Sequence, residues 1–148
     1  MERSARSPEL EPMEALIGAW TTVATHPAFP GSVSGRASFE WLEGERFLIQ
    51  RSQADHPEVP DGIAIVGAVD DGPGLSMYYF DSRGVHRVYR MSLSGAVLRI
   101  WRDHPGFSQR FTGTFEDDGD TIVGLWELSR DGETWDDDLE ITFRRAPA

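Results

Sequence analysis

The sequence predicts an all-β protein, an antiparallel up-and-down β-barrel of about ten strands behind a short N-terminal helix. Two observations predict it. From Gly18 onward, alternating runs are broken every 8–12 residues or so by Asp-Gly, Ser-Gly, Arg-Gly or His-Pro, the spacing of strands that follow one another as hairpins. Two of these turns, read independently, also agree on one apolar face. Asp118-Gly119 suits a two-residue type I′ turn, in which both central residues need φ > 0. That register sets Phe115 opposite Ile122, Phe111 opposite Trp126 and Arg110 opposite Glu127. Asp131-Gly132, taken as a second such turn, sets Leu128 opposite Trp135 and Arg130 opposite Glu133. One face then carries Phe111, Phe115, Ile122, Trp126, Leu128, Trp135, Leu139, Ile141 and Phe143, and a one-residue slip would scatter it.

The elements follow in order. Residues 1–10 read as a disordered tail and 11–146 as a single barrel domain. Pro12-Met13-Glu14-Ala15-Leu16-Ile17 makes a short helix, stopped by Gly18. The expected strands are Ala19–Thr25, Val33–Trp41, Arg46–Asp55, Ile63–Val69, Leu75–Asp81, Val85–Leu93, Val97–Arg102, Gln109–Glu116, Thr121–Ser129 and Trp135–Arg144. Two further hairpins suit three-residue loops with Gly in the left-handed position. Leu42-Glu43-Gly44 puts Phe39 opposite Phe47 and Glu40 beside Arg46. Asp81-Ser82-Arg83-Gly84 has the Asp and Gly of a type I turn and groups Met77, Tyr79 and Asp81 with Val85, Arg87, Tyr89 and Met91. The alternative face holds Tyr78, Phe80, His86, Val88 and Arg90; the first is taken as inward.

Composition removes several chemistries. Cysteine and lysine are both absent, all 14 basic residues being Arg, so disulfides, thiolate catalysis, Schiff bases and Walker-type phosphate loops are excluded. The net charge of −11 speaks against a nucleic-acid or anionic-membrane partner. Between Glu116 and Glu140 there are eleven acids and only Arg130, which we read as solvated turns rather than a calcium site. No apolar stretch approaches the ~18 residues of a membrane span, and the N-terminus lacks a signal peptide's apolar core, so a soluble, cytoplasmic monomer or homodimer is expected.

In a meander, alternate connections share an end of the sheet. The turns at Gly44, Gly72, Gly95 and Gly119 lie at one end. Those at His26-Pro27, His56-Pro57, Ser82-Arg83-Gly84, His104-Pro105 and Arg130-Asp131-Gly132 lie at the other, so His26, His56, Arg83 and His104 form a rim. Imidazole is the commonest metal ligand, but His-Pro pairs also simply end strands, and no metal site is assigned. Behind the rim, inward parity places Arg51, Tyr79, Arg87, Tyr89, Gln109, Phe111, Trp126 and Asp137 as candidate ligand-binding residues. An inward Arg needs a carboxylate or an anionic ligand group as its partner.

Gly18-Ala19-Trp20 after a short helix looks like the start of a calycin, the superfamily of lipocalins and fatty-acid-binding proteins. The segments Tyr79–Tyr89, Pro105–Phe111, Gly124–Glu127 and Asp131–Trp135 resemble an uncharacterised family of bacterial calycin-like domains, over about Leu16 to Arg145. More distantly the chain is similar to nitrobindin, a ten-stranded haem-binding barrel whose proximal histidine lies close to the C-terminus. Here the last histidine is His104, so that ligation is not carried over and no cofactor is assigned. The function expected is binding of a small hydrophobic or amphipathic, anionic ligand inside the barrel. The alternatives are a small cyclase or isomerase using Asp81, His86 and Tyr89 as acid–base groups, or a nitrobindin-like haem protein.

Overall fold

The computed structural model describes residues 6–70 and 72–147. Ten strands form one closed antiparallel barrel: β1 (Gly18–Thr25), β2 (Val33–Trp41), β3 (Leu48–Ala54), β4 (Gly62–Ala68), β5 (Leu75–Asp81), β6 (His86–Ser94), β7 (Val97–Arg102), β8 (Ser108–Glu116), β9 (Thr121–Ser129) and β10 (Asp136–Arg145). Every strand pairs with its sequence neighbours, and β1 closes against β10 antiparallel, with Trp20 beside Arg145 and Thr25 beside Glu140. An even number of strands lets a meander close this way, leaving no exposed edge. Among the described residues no helix is long and apolar enough to cross a membrane.

A nine-residue 3₁₀ helix, Pro8–Leu16, precedes the barrel. Ser7 caps it, accepting from the Glu9 N–H, and Pro8 supplies a pre-set φ in the first turn. With three residues per turn, Leu10, Met13 and Leu16 fall on one face, and all three are completely buried. They plug the end of the barrel that carries the tight turns. The sequence reading placed the helix start too late and the tail too far in. Residues 1–5 of that expected tail lie outside the described residues, whereas residues 8–10 are helical and Leu10 is core.

The β8–β9 hairpin has the expected register, with Phe115 opposite Ile122, Phe111 opposite Trp126 and Arg110 opposite Glu127. Asp118 and Gly119 both take positive φ, and the Asp120 N–H closes on the Asp117 carbonyl. Gly113 and Gly124 stand opposite each other there. A Cβ at either would overlap the Phe111 ring, so the paired glycines form the niche in which that ring lies. The β5–β6 hairpin is also as expected: Tyr79 faces Arg87, Met77 faces Tyr89 and Leu75 faces Met91. The face chosen as inward is inward, with Met77, Tyr89 and Met91 buried while Tyr78, Phe80 and Val88 are about half exposed outside.

Two other turns differ, for identifiable reasons. At Asp131-Gly132 the Asp131 carboxylate accepts from the Glu133 and Thr134 N–H groups, and the Ser129 hydroxyl accepts from Gly132. These side-chain bonds build a wider loop in place of the two-residue turn. Leu128 therefore faces Asp136, and a bulge between Asp137 and Leu139 brings Leu139 opposite Trp126. The net slip is even, so Leu139, Ile141 and Phe143 keep their inward side. Trp135 instead lies outside, under the Arg110 guanidinium at 3.9 Å. At Gly44, the Leu42 N–H bonds to the Phe47 carbonyl, and Phe39 faces Gln50 rather than Phe47. Glu45 in this loop takes a positive φ and is held at 2.7 Å by Arg6, a partner distant in sequence. The slip is odd, so β3 turns over and Gln50 takes the inward side.

Candidate functional site

Within the barrel lies a cavity of about 530 Å³, in the size range of small-molecule sites. Eight-stranded barrels can fill their interiors with side chains; a ten-stranded one is wider. The floor is Leu16 of the helix plug, and the walls include Phe39, Met77, Met91, Leu98, Ile100, Ile122, Ile141 and Phe143. Nearer the open end an aromatic chain crosses the interior. Tyr79 meets Tyr89 edge-on at 6.3 Å, Tyr89 meets Trp126 at 5.8 Å, and Trp126 meets Phe111 at 5.2 Å. Tyr79, Arg87, Tyr89, Gln109, Phe111 and Trp126 thus come together as the sequence parity proposed, joined at the mouth by His26 and Arg83.

The polar groups differ in whether their charge is paired. The Asp81 side chain is wholly removed from solvent and receives the Tyr79 hydroxyl at 2.8 Å, the Arg83 Nη2 at 2.6 Å and the Arg83 backbone N–H. Hydrogen bonds from Arg83 and Tyr79 hold its carboxyl well below the usual carboxylate range, outweighing its burial. Burial and the neighbouring Asp81 push the Tyr79 phenol up. Tyr89 donates to Gln109 Oε1 at 2.8 Å. Burial raises its pKa against the opposing pull of Arg87 and Arg102, so it is a neutral donor. Arg87 bonds to the Tyr89 hydroxyl but differs from Arg83 in having no carboxylate among the described residues. Its guanidinium lies over the Phe107 ring at 5.2 Å and makes no ion pair with any described residue.

Several expected residues sit elsewhere. Arg51 follows the inverted β3 to the outer surface, where it pairs with Glu40 at 2.7 Å. Asp137 is displaced by the β10 bulge: it stands opposite outward-facing Glu127, and Asp138 enters the cavity lining in its place. The rim histidines do not converge. His26 Nε2 meets Asp138 at 2.9 Å, its Nδ1 accepts from the Ala28 N–H, and the Phe29 ring separates it from His56. His104 does not line the cavity; its N–H bonds to the Ser108 hydroxyl. His86 is exposed on the outer face opposite Phe80, so the acid–base trio of Asp81, His86 and Tyr89 is not assembled.

The donor set does not suit a histidine-ligated haem. His26 is the cavity's histidine among the described residues, and both its ring nitrogens are engaged. Apolar Leu139, Ile141 and Phe143 occupy the inward side of the last strand.

Sequence reasoning missed Phe29, Gln50 and Asp138 in the cavity lining, and Arg102 and Phe107 beside Arg87. Arg102 was detectable, because it continues the alternation of Leu98 and Ile100 toward the mouth. The others depend on loop paths and on a bulge. No family model matches the chain, and no curated protein matches it. Among solved structures it is similar to Rv2717c from M. tuberculosis, with a TM-score of 0.64 and 16% identity over 96% of this chain and 99% of that one. The likeness is one of barrel fold.

Proposed function

We propose that this barrel binds a small amphipathic anion, its head at Arg87 near the mouth and its apolar body along Phe111, Trp126 and Ile141. One observation carries the reading: a half-buried Arg87 lines an apolar cavity without an acidic partner among the described residues. A guanidinium in such surroundings favours a carboxylate or phosphate, to which it can donate two parallel hydrogen bonds. Tyr89 and Gln109 add a neutral polar pair beside it, the few-polar-groups pattern of small-molecule sites. The resemblance to calycin-like domains supports the same reading, as lipocalins and fatty-acid-binding proteins hold ligands inside their barrels.

Tryptophan fluorescence tests it, since Trp126 lines the cavity. Octanoate is expected to change the emission saturably and octanol of equal length to do so far more weakly. Equal responses, or none, would overturn the anionic reading.

A further inference from the structure

Two arginines near the mouth, Arg87 in the cavity lining and Arg102 beside it, have no ion pair among the described residues. Arg87 and Arg102 meet at one residue: the Arg87 guanidinium lies 5.2 Å from the Phe107 ring centre, and Arg102 Nη1 donates to the Phe107 carbonyl at 3.2 Å. Arg102 stands opposite Gln109, the residue that accepts the Tyr89 hydroxyl. Neither guanidinium forms an ion pair with a described residue. Asp81 on the next strand is already taken by Arg83 and Tyr79. Of Arg83, Arg87 and Arg102 only Arg83 forms an ion pair among the described residues, with Asp81; the rim acids Asp61 and Asp103 pair with none of the three. The acids that line the cavity elsewhere, Asp138 and Glu58, belong to β10 and the β3–β4 connection, and Asp138 is held by His26.

We infer that Arg87 and Arg102 form a subsite for a dianionic head of the phosphate monoester class. The inference rests on the anionic-ligand reading and adds the charge of the head. A monoanion leaves one of two neighbouring guanidiniums uncompensated in a partly dry setting. A phosphate monoester carries close to two negative charges above its second pKa of about 6 and offers three acceptor oxygens. Planar guanidinium forks match those oxygens.

The test is calorimetric titration at pH 8 with octyl phosphate, the near-isosteric monoanion octyl sulfate, octanol and inorganic phosphate. Octyl phosphate is expected to bind about tenfold more tightly than octyl sulfate. Equal affinity for the two would overturn the dianion subsite and leave the anionic reading intact; octanol binding as well as both would overturn that reading too. Inorganic phosphate, lacking an apolar body to bury, is expected to bind about a hundredfold more weakly than octyl phosphate. Equal binding would make this a free-phosphate site and overturn the monoester assignment. Arg102→Gln is expected to abolish the phosphate preference, the affinity for octyl phosphate falling to within about twofold of that for octyl sulfate in the same variant. A preference that survives the substitution overturns the role of Arg102. If that variant does not fold, the ratio measured on the unaltered chain decides.

Discussion

At the end closed by the 3₁₀ helix, Arg145 stacks on Trp20 at 4.1 Å, donates to the Ile17, Ala15 and Gly119 carbonyls, and pairs with Asp120. At the open end, Arg87 and Arg102 touch Phe107 and no carboxylate among the described residues. Both ends use arginine beside aromatic rings, yet Arg145 pairs with a carboxylate and three carbonyls, whereas Arg87 and Arg102 have no carboxylate among the described residues. The closed end is stabilised by its filled core, Leu10, Met13, Leu16 and Trp20, with Arg145 covering the Trp20 ring. At the open end Arg87 and Arg102 leave their charge without a carboxylate, which is where the proposed ligand head would sit. Substitutions at the two ends should accordingly separate stability from binding.

The largest effect belongs to the plug. Leu16→Ala removes a completely buried side chain and is expected to cost about 3 kcal/mol, lowering Tm by roughly 6–12 °C. Thermal unfolding monitored by circular dichroism checks this. A drop confined to ligand affinity would erase the distinction between the ends.

Gly124→Ala is expected to destabilise by about 1–3 kcal/mol, because the new Cβ meets the Phe111 ring in the middle of the barrel. In a Phe111→Ala background the same change should cost far less, and denaturant midpoints for the four proteins measure that coupling. Equal cost in both backgrounds would mean that the glycine pair serves some purpose other than seating Phe111.

At the mouth the sign reverses. Arg87→Ala is expected to weaken octanoate binding about 10-fold to 100-fold, in line with loss of a charge-assisted pair, while Tm moves by no more than about 2 °C. Titration of the same protein with hemin is expected to give no Soret shift of imidazole ligation. A shift abolished by His26→Ala would show that Asp138 releases the ring.

The smallest effect is pH-dependent. The Asp81 carboxyl is depressed in the folded chain by Arg83 and Tyr79. It therefore adds stability above the ordinary carboxylate range near pH 4, and that stability is lost as pH falls through the lower folded value. Asp131, lowered to about 2 by the Thr134 and Glu133 N–H groups, acts in the same direction. Asp81→Asn is expected to flatten the fall in stability between about pH 4 and pH 2 without altering its value trend above pH 6. An unchanged acid limb would show that Asp81 is not what the acid titrates.

How far each hairpin could be read depended on what its Asp side chain does. Asp118-Gly119 and Asp131-Gly132 are the same dipeptide, and the first closes as a two-residue turn. The second does not, because Asp131 bonds forward to two backbone N–H groups, an alternative that composition cannot rank against the hairpin. At Gly44 the chain makes a longer loop with positive φ at both Gly44 and Glu45, and Arg6, far away in sequence, pairs with Glu45 there. That one turn reversed β3 and sent Arg51 outside; the bulge in β10 replaced Asp137 with Asp138. Tyr79, Arg87, Tyr89, Gln109, Phe111 and Trp126 were legible because the hairpins that set their parity are governed locally.

By itself the sequence determined the strand count, the meander, the inward face of β5–β6 and β8–β9, and the absence of thiol and lysine chemistry. Alternation of period two and the conformational demands of Asp-Gly and Arg-Gly turns are local properties, so they survive without knowledge of the whole. Only the tertiary structure decided the register in which β1 meets β10, that Leu10, Met13 and Leu16 plug one end, and that Arg102 joins Arg87 across Phe107. Those depend on contacts between residues distant along the chain, whose geometry exists only once every strand has its register.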